Sequence, residues 1–241
     1  MTLDCIWEHN GNDTLLYSAD FVGAYSRGNS LDIAIRKMAD EVSSYSEWRG
    51  IDAPKSANVQ IIQEKKSELN VADADSDVIF NSEILPMTAD EYAILKAIAL
   101  KSADDFIRLY NSIPEQVRCV ALLDSRKTFY GEVPRSADTI YLHTKNVNEY
   151  YFGEIGVEAD NEGSIFDCRA RAFAHLEQKR NFLLSEAQEG SYGEIWSTRK
   201  LLRRFIWHDR IHAKAMWRMA KRHLNNYPVE NPFCFRDWRF N

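Results

Sequence analysis

The sequence predicts a small α+β unit over residues 1–85 followed by an all-α four-helix bundle over residues 86–241. Three observations carry this expectation. Before Pro86 the apolar residues fall mostly in short runs bounded by turn residues, around a single helical stretch. After Pro86 they recur at spacings of three and four in four long stretches. Those stretches open on Thr88, Ser136, Ser164 and Ser197, residues whose side-chain oxygens cap helix N-termini.

In the first unit, Thr14 to Tyr17 reads as a short strand, followed by Asp20 to Tyr25 and a turn at Arg27-Gly28-Asn29. Asn29 or Ser30 caps a helix whose apolar positions include Leu31, Ala34, Ile35, Met38 and Val42, ending near Trp48 and Gly50. The loop Ile51 to Ala57, with Pro54, leads to a strand over Val59 to Glu64, and Val78 to Phe80 is strand-like too. Strands on one side with one helix packed across them give an α+β unit. In the second unit, Thr88 to Glu91 fits a capping box and opens a helix carrying Leu95, Ile98, Phe106 and Leu109, which stops before Pro114. Glu115 to Leu123 suits a short helix or a strand. Ser136 caps a second long helix that bears His143 and fades near Gly153. Ser164 begins a third, through Phe173, Leu176 and Leu183, and Ser197 a fourth that runs to about Asn226. Four amphipathic helices of this kind bury their apolar stripes against each other as a bundle.

Charged and hydrophobic fractions are those of a folded chain, and 241 residues suffice for two domains. The formal net charge of -6 argues against general nucleic-acid binding. The basic run from Arg199 to Arg222 is expected to form a solvated helix face. No window of about eighteen apolar residues exists, so no helix should cross a membrane. The first residues, with Asp4, Glu8 and Asp13, lack the plan of a signal peptide, which makes the cytoplasm the default location. Cys5, Cys119, Cys168 and Cys234 form no CxxC pair and are expected to be reduced and packed as small hydrophobes.

The histidines carry the chemistry. His208 and His212 are four residues apart on the last helix, one above the other on the stripe of Leu201, Phe205, Ala215 and Met219. His143 lies on a similar stripe with Ile140, Val147 and Tyr150. Imidazole is disfavoured inside a helical core unless it has a partner. Two readings satisfy that need: a divalent metal shared by His143, His208 and His212, or three separate core histidines bonded to Tyr, Asp or backbone groups. Three protein ligands leave coordination positions open, the catalytic rather than the structural pattern. Asn146 and Asp209 are candidates to support these rings, although Asp209 points nearly 100° from its neighbour and suits a surface charge better.

The segment from about 88 to 226 resembles the DinB/YfiT-like family of metalloenzymes, through His143 in Ile140-Tyr141-Leu142-His143 and the H-x3-H pair His208-Asp-Arg-Ile-His212. The resemblance implies a four-helix bundle, a divalent metal such as nickel or zinc, and a thiol-dependent transferase or isomerase acting on a small molecule with a low-molecular-weight thiol. It also makes a homodimer the candidate assembly. The first unit resembles HicB-like domains, through Asp20-Phe-Val-Gly-Ala-Tyr-Ser-Arg-Gly-Asn-Ser-Leu and the helix closing on Tyr45-Ser-Glu-Trp48. That resemblance supports a rival expectation, a non-enzymatic scaffold or regulatory module whose HicB-like part binds a partner.

Other signals carry less. His175, His9 and His223 suit ordinary hydrogen-bonded or surface roles. Asp73-Ala-Asp75-Ser-Asp77 imitates a calcium loop but has Val78 where Gly is needed and Ile84 where Glu is needed, so it reads as a turn between strands. The aromatic and basic tail, Phe233 to Phe240, should pack back on its own domain.

Overall fold

A computed structural model describes residues 2–54, 58–128, 131–224 and 227–236. The chain opens with β1 (Thr2–Asn10), β2 (Asp13–Ser18), β3 (Tyr25–Gly28), α1 (Leu31–Arg49) and β4 (Asn58–Lys66). These strands form one mixed sheet in the order β3-β2-β1-β4, with β1 antiparallel to β2 and parallel to β4. Short 3₁₀ turns at Val71–Asp73 and Asn81–Ile84 lead to α2 (Ala89–Asn111). A one-turn helix α3 (Glu115–Arg118), a ribbon of β5 (Lys127–Thr128) and β6 (Gly131–Glu132), and α4 (Ala137–Gly153) follow. Then come α5 (Ile165–Leu176), a second ribbon of β7 (Gln188–Glu189) and β8 (Ile195–Trp196), and α6 (Thr198–His223).

The caps form where the sequence places them. Ser30, Ser136, Ser164 and Ser197 each accept a backbone N–H three residues on, and Thr88 and Glu91 close a reciprocal capping box. α1 ends at Gly50, whose positive φ of 63° suits glycine at a helix terminus.

The expected four-helix bundle is corrected by the structure. The helices after Pro86 do not make a self-contained bundle, because α6 is wrapped from every side. Each residue from Lys200 to Arg210 is buried, three full turns with no solvent face. α2, α4 and α5 account for only part of that cover. The rest comes from the sheet and its loops: Trp207 packs with Ile6, Leu15, Tyr17, Tyr25 and Phe80, and Ile206 lies against Gly23. A Cβ at Gly23 would come within 2.3 Å of Ile206, and φ there is +93°, so only glycine allows this approach. The main apolar core is continuous from Leu3 and Val42 through Phe106 and Phe173 to Met219.

Smaller expectations also change. β1 was not anticipated: its buried Glu8 interrupts the apolar alternation that marks a strand. The turn at residues 27–29 is partly strand, since β3 runs through Gly28. Val78 to Phe80 forms no strand, and the Val78 carbonyl instead accepts from Arg203. The third long helix stops at Leu176 rather than continuing through Leu183. The fourth ends at His223, and Asn226, like Ala57 and residues 237–240 of the tail, lies outside the described residues. Phe233 and Phe235 do pack inward, against Trp48 and Trp217 respectively. Cys5 and Cys168 are buried, but Cys119 is exposed rather than packed.

Through Arg210 the basic run of α6 is not a solvated face, whereas Lys221 and Arg222 at its end are exposed as expected. Lys200, Arg203, Arg204 and Arg210 are buried, and each meets a partner from outside the helix. Lys200 pairs with Glu194 at 2.8 Å, Arg203 with Glu83, and Arg210 with Glu41 of α1 at 2.7 Å. Arg204 donates to the Ser76 carbonyl at 2.9 Å and lies over the rings of Tyr151, Trp196 and Trp207. Asp209 is likewise no surface charge. It is fully buried, bonded by Arg169 of α5 at 3.0 Å and by the Ser102 hydroxyl of α2. Buried charges are tolerated only when paired in this way, and removing one partner costs about 3–5 kcal/mol.

Candidate metal centre

α4 and α6 pack side by side and bring His143, His208 and His212 together. One ring nitrogen from each lies within 4.8 Å of the others. Nε2 of His143 and Nε2 of His208 are 3.3 Å apart, and the ring centroids are 4.3–5.1 Å apart. His208 is buried and the other two are half-buried, so the rings form the floor of a pocket rather than the centre of a core. The i, i+4 spacing stacks His208 and His212 on one face, and Tyr151 holds the His208 ring edge-on at 5.7 Å.

Burial holds all three imidazoles below their ordinary pKa, with His212 and His143 adding to the effect at His208, and His143 and Arg27 adding to it at His212. The rings are therefore neutral at pH 7, the form in which imidazole ligates a metal. Two nitrogens each about 2.0–2.1 Å from a tetrahedral zinc ion stand roughly 3.3 Å apart, which is the spacing of the His143 and His208 nitrogens. Among the described residues the three rings form no hydrogen bond to a carboxylate or a carbonyl, and Nδ1 of His208 is buried with no protein partner. A donor set of three neutral imidazoles with ring nitrogens this close together fits a divalent cation.

The pocket above the rings has a volume of about 290 Å³. Its walls come from both halves of the chain: Val147, Tyr150 and Tyr151 of α4, Arg204, Trp207 and Ile211 of α6, and Asp75 and Ser76 from the segment after β4. Asp75 is the residue that sequence reasoning missed. The Asp73–Asp77 segment imitates a calcium loop and reads as a turn between strands, but it follows β4 with no strand between it and α2 and places Asp75 on the wall of this pocket. Its side chain is buried, Oδ2 has no hydrogen-bond partner, and burial raises its carboxyl above the ordinary range against the pull of Arg204. Glu8 fixes the segment, accepting from the Ser76 hydroxyl at 2.6 Å and the Asp77 N–H at 3.2 Å. Such a device is hard to read from sequence, because Glu8 and Ser76 are 68 residues apart.

The remaining candidates lie elsewhere. Asn146 is exposed, and Asp209 braces α5 and α2 against α6 instead of reaching the rings. His175 bonds the Glu158 carbonyl, and His9 pairs with Glu64 and stacks on Trp7. Among the described residues no helix is long and apolar enough to cross a membrane.

No protein-family model, curated protein or solved structure matches the chain. The resemblances to DinB/YfiT-like enzymes and HicB-like domains gain no support there.

Proposed function

We propose that this protein is a metal-dependent enzyme acting on a small molecule, with His143, His208 and His212 holding a divalent cation, nickel or zinc. The observation that supports this reading is the convergence of three neutral imidazoles on the floor of a pocket. When bound, such a cation supplies Lewis acidity with coordination positions left open for a ligand. The chain's own groups complete the site. Asp75, its carboxyl raised by burial, is poised to take up a proton from a bound thiol or water. Arg204, held by three aromatic rings and the Ser76 carbonyl, places a positive charge beside His208, where it favours an anionic nucleophile. Tyr151 and Trp207 supply apolar walls that limit water.

This chemistry agrees with thiol-dependent transfer of the DinB/YfiT type, and kinship with that family through His143 and the H-x3-H pair is part of the proposal. The first experiment is elemental analysis of protein purified without an affinity tag. It should find close to one equivalent of metal in the wild type and none in His212→Ala, whose far-ultraviolet circular dichroism should be unchanged. Wild-type protein that takes up no metal, even when offered nickel or zinc, would leave the scaffold reading in its place.

A further inference from the structure

A second and larger cleft, of about 720 Å³, adjoins the histidine pocket. His212, Ile211, Val133 and Pro134 line both cavities, so the two are immediate neighbours. The walls of the larger one differ in character. Arg27 of β3, Lys37 of α1, Arg126 beside β5, and Lys214 and Arg218 of α6 line it, and the carboxylates among its described lining residues are Glu41 and Asp124. Glu41 is already engaged by Arg210 and Lys214 at 2.7 and 2.9 Å. Lys214 is offset by Glu41 and Arg126 by Asp73, so in a chain of net charge -6 the positive character of the cleft is carried by Arg27 and Lys37, whose side chains meet backbone carbonyls.

These cations are also held in place. The Lys37 ammonium donates to the Arg27 carbonyl at 2.9 Å, the Arg27 guanidinium reaches the Ala72 carbonyl, and Arg126 pairs with Asp73. Positive charges packed into a concavity repel one another, and burial together with Arg218, Arg27, Lys214 and Arg36 lowers the Lys37 pKa. An anion in the cleft would relieve that repulsion. The cleft is within the size range of small-molecule sites and is concave, which suits a compact ligand better than a nucleic-acid backbone.

We infer that this cleft binds the multiply charged end, carboxylate or phosphate, of a small molecule whose other end reaches the three histidines. The anion site stands on the cleft itself; only the assignment of its occupant as the substrate of the histidine centre rests on the function proposed above. Arg27 and Lys37 lie in the first unit and the histidines in the second, so a ligand spanning both cavities would be gripped by the two together.

Titration calorimetry of the full chain with inorganic phosphate and, separately, with succinate tests this. One-site binding of at least one probe is expected, weakened about tenfold or more by Arg27→Ala and by Lys37→Ala. Arg27→Lys should stay within a few-fold of wild type, and Lys66→Ala, on the exposed end of β4, should change nothing. Binding of succinate alone identifies a polycarboxylate ligand, and binding of phosphate alone a phosphorylated one. No binding of either probe, or binding indifferent to both alanine substitutions, overturns the inference. His208 lines the histidine pocket and not the cleft, so His208→Ala should retain the anion site, and a protein that binds anions but no metal refutes only the metal centre. One that binds metal but no anion refutes only the cleft.

Discussion

Burial raises the Asp75 carboxyl, Arg204 partly counters it, and Oδ2 is left without a hydrogen bond. An unfolded chain ionises this group at its ordinary value of 3.8, while the folded chain holds the proton to higher pH. The folded state therefore carries a penalty that is absent below 3.8 and complete above the folded pKa. At neutral pH the side chain works against stability, as functional groups in pockets often do. Asp75→Asn should raise the melting temperature at pH 7 and leave it unchanged near pH 3. A lower melting temperature at pH 7 would show that the carboxylate serves the fold instead of the pocket. Arg204 contrasts with it, since the Glu194 carboxylate at 3.8 Å, aromatic rings and a carbonyl satisfy its charge from several sides.

Between elements, α1 is joined to α6 through Glu41, which receives both Arg210 and Lys214. Burial alone would raise this carboxyl, but the two cations override it and hold Glu41 down at about 2, against an ordinary 4.5. A depressed carboxyl stabilises the fold above the unfolded value and loses that contribution as pH falls from 4.5 towards 2. At about 1.36 kcal/mol per pH unit the contribution is on the order of 3 kcal/mol. Glu41→Gln should cost about 3–5 kcal/mol at pH 7, because it leaves Arg210 buried without its carboxylate. The difference from wild type should vanish by about pH 2. A pH-independent difference in urea unfolding would show that packing, not charge, is what the substitution removes.

For the molecule as a whole, the shared helix sets the cooperativity. α6 buries Ile206 and Trp207 against the sheet, Arg210 against α1, and Phe205 and Asp209 among the other helices. Losing either half would expose one side of α6 and leave buried ions unpaired, at several kcal/mol per group. Tryptophan fluorescence and far-ultraviolet circular dichroism should follow one coincident unfolding transition. Two separated transitions would mean that the halves are energetically independent. The histidine pocket and the basic cleft draw walls from both halves, so a ligand bound in either should raise the midpoint of that single transition.

Helix starts were legible because capping is local: Ser30, Thr88, Ser136, Ser164 and Ser197 each act within three residues of themselves. The alignment of His208 and His212 was legible for the same reason, since four residues nearly complete a helical turn. Placing His143 beside them needed the packing of α4 on α6, which the stripes suggested but which depends on contacts 65 residues apart. The basic face of α6, Asp209, Asp75 and β1 escaped local reading, because a charge looks the same in sequence whether its partner is water or a distant side chain. Arg203 meets Glu83 across 120 residues and Arg210 meets Glu41 across 169, and those pairings are what turn an outwardly solvated helix into the centre of the fold. Local spacing reaches only a few residues along the chain, whereas burial is settled by whichever remote groups the completed core brings within bonding distance.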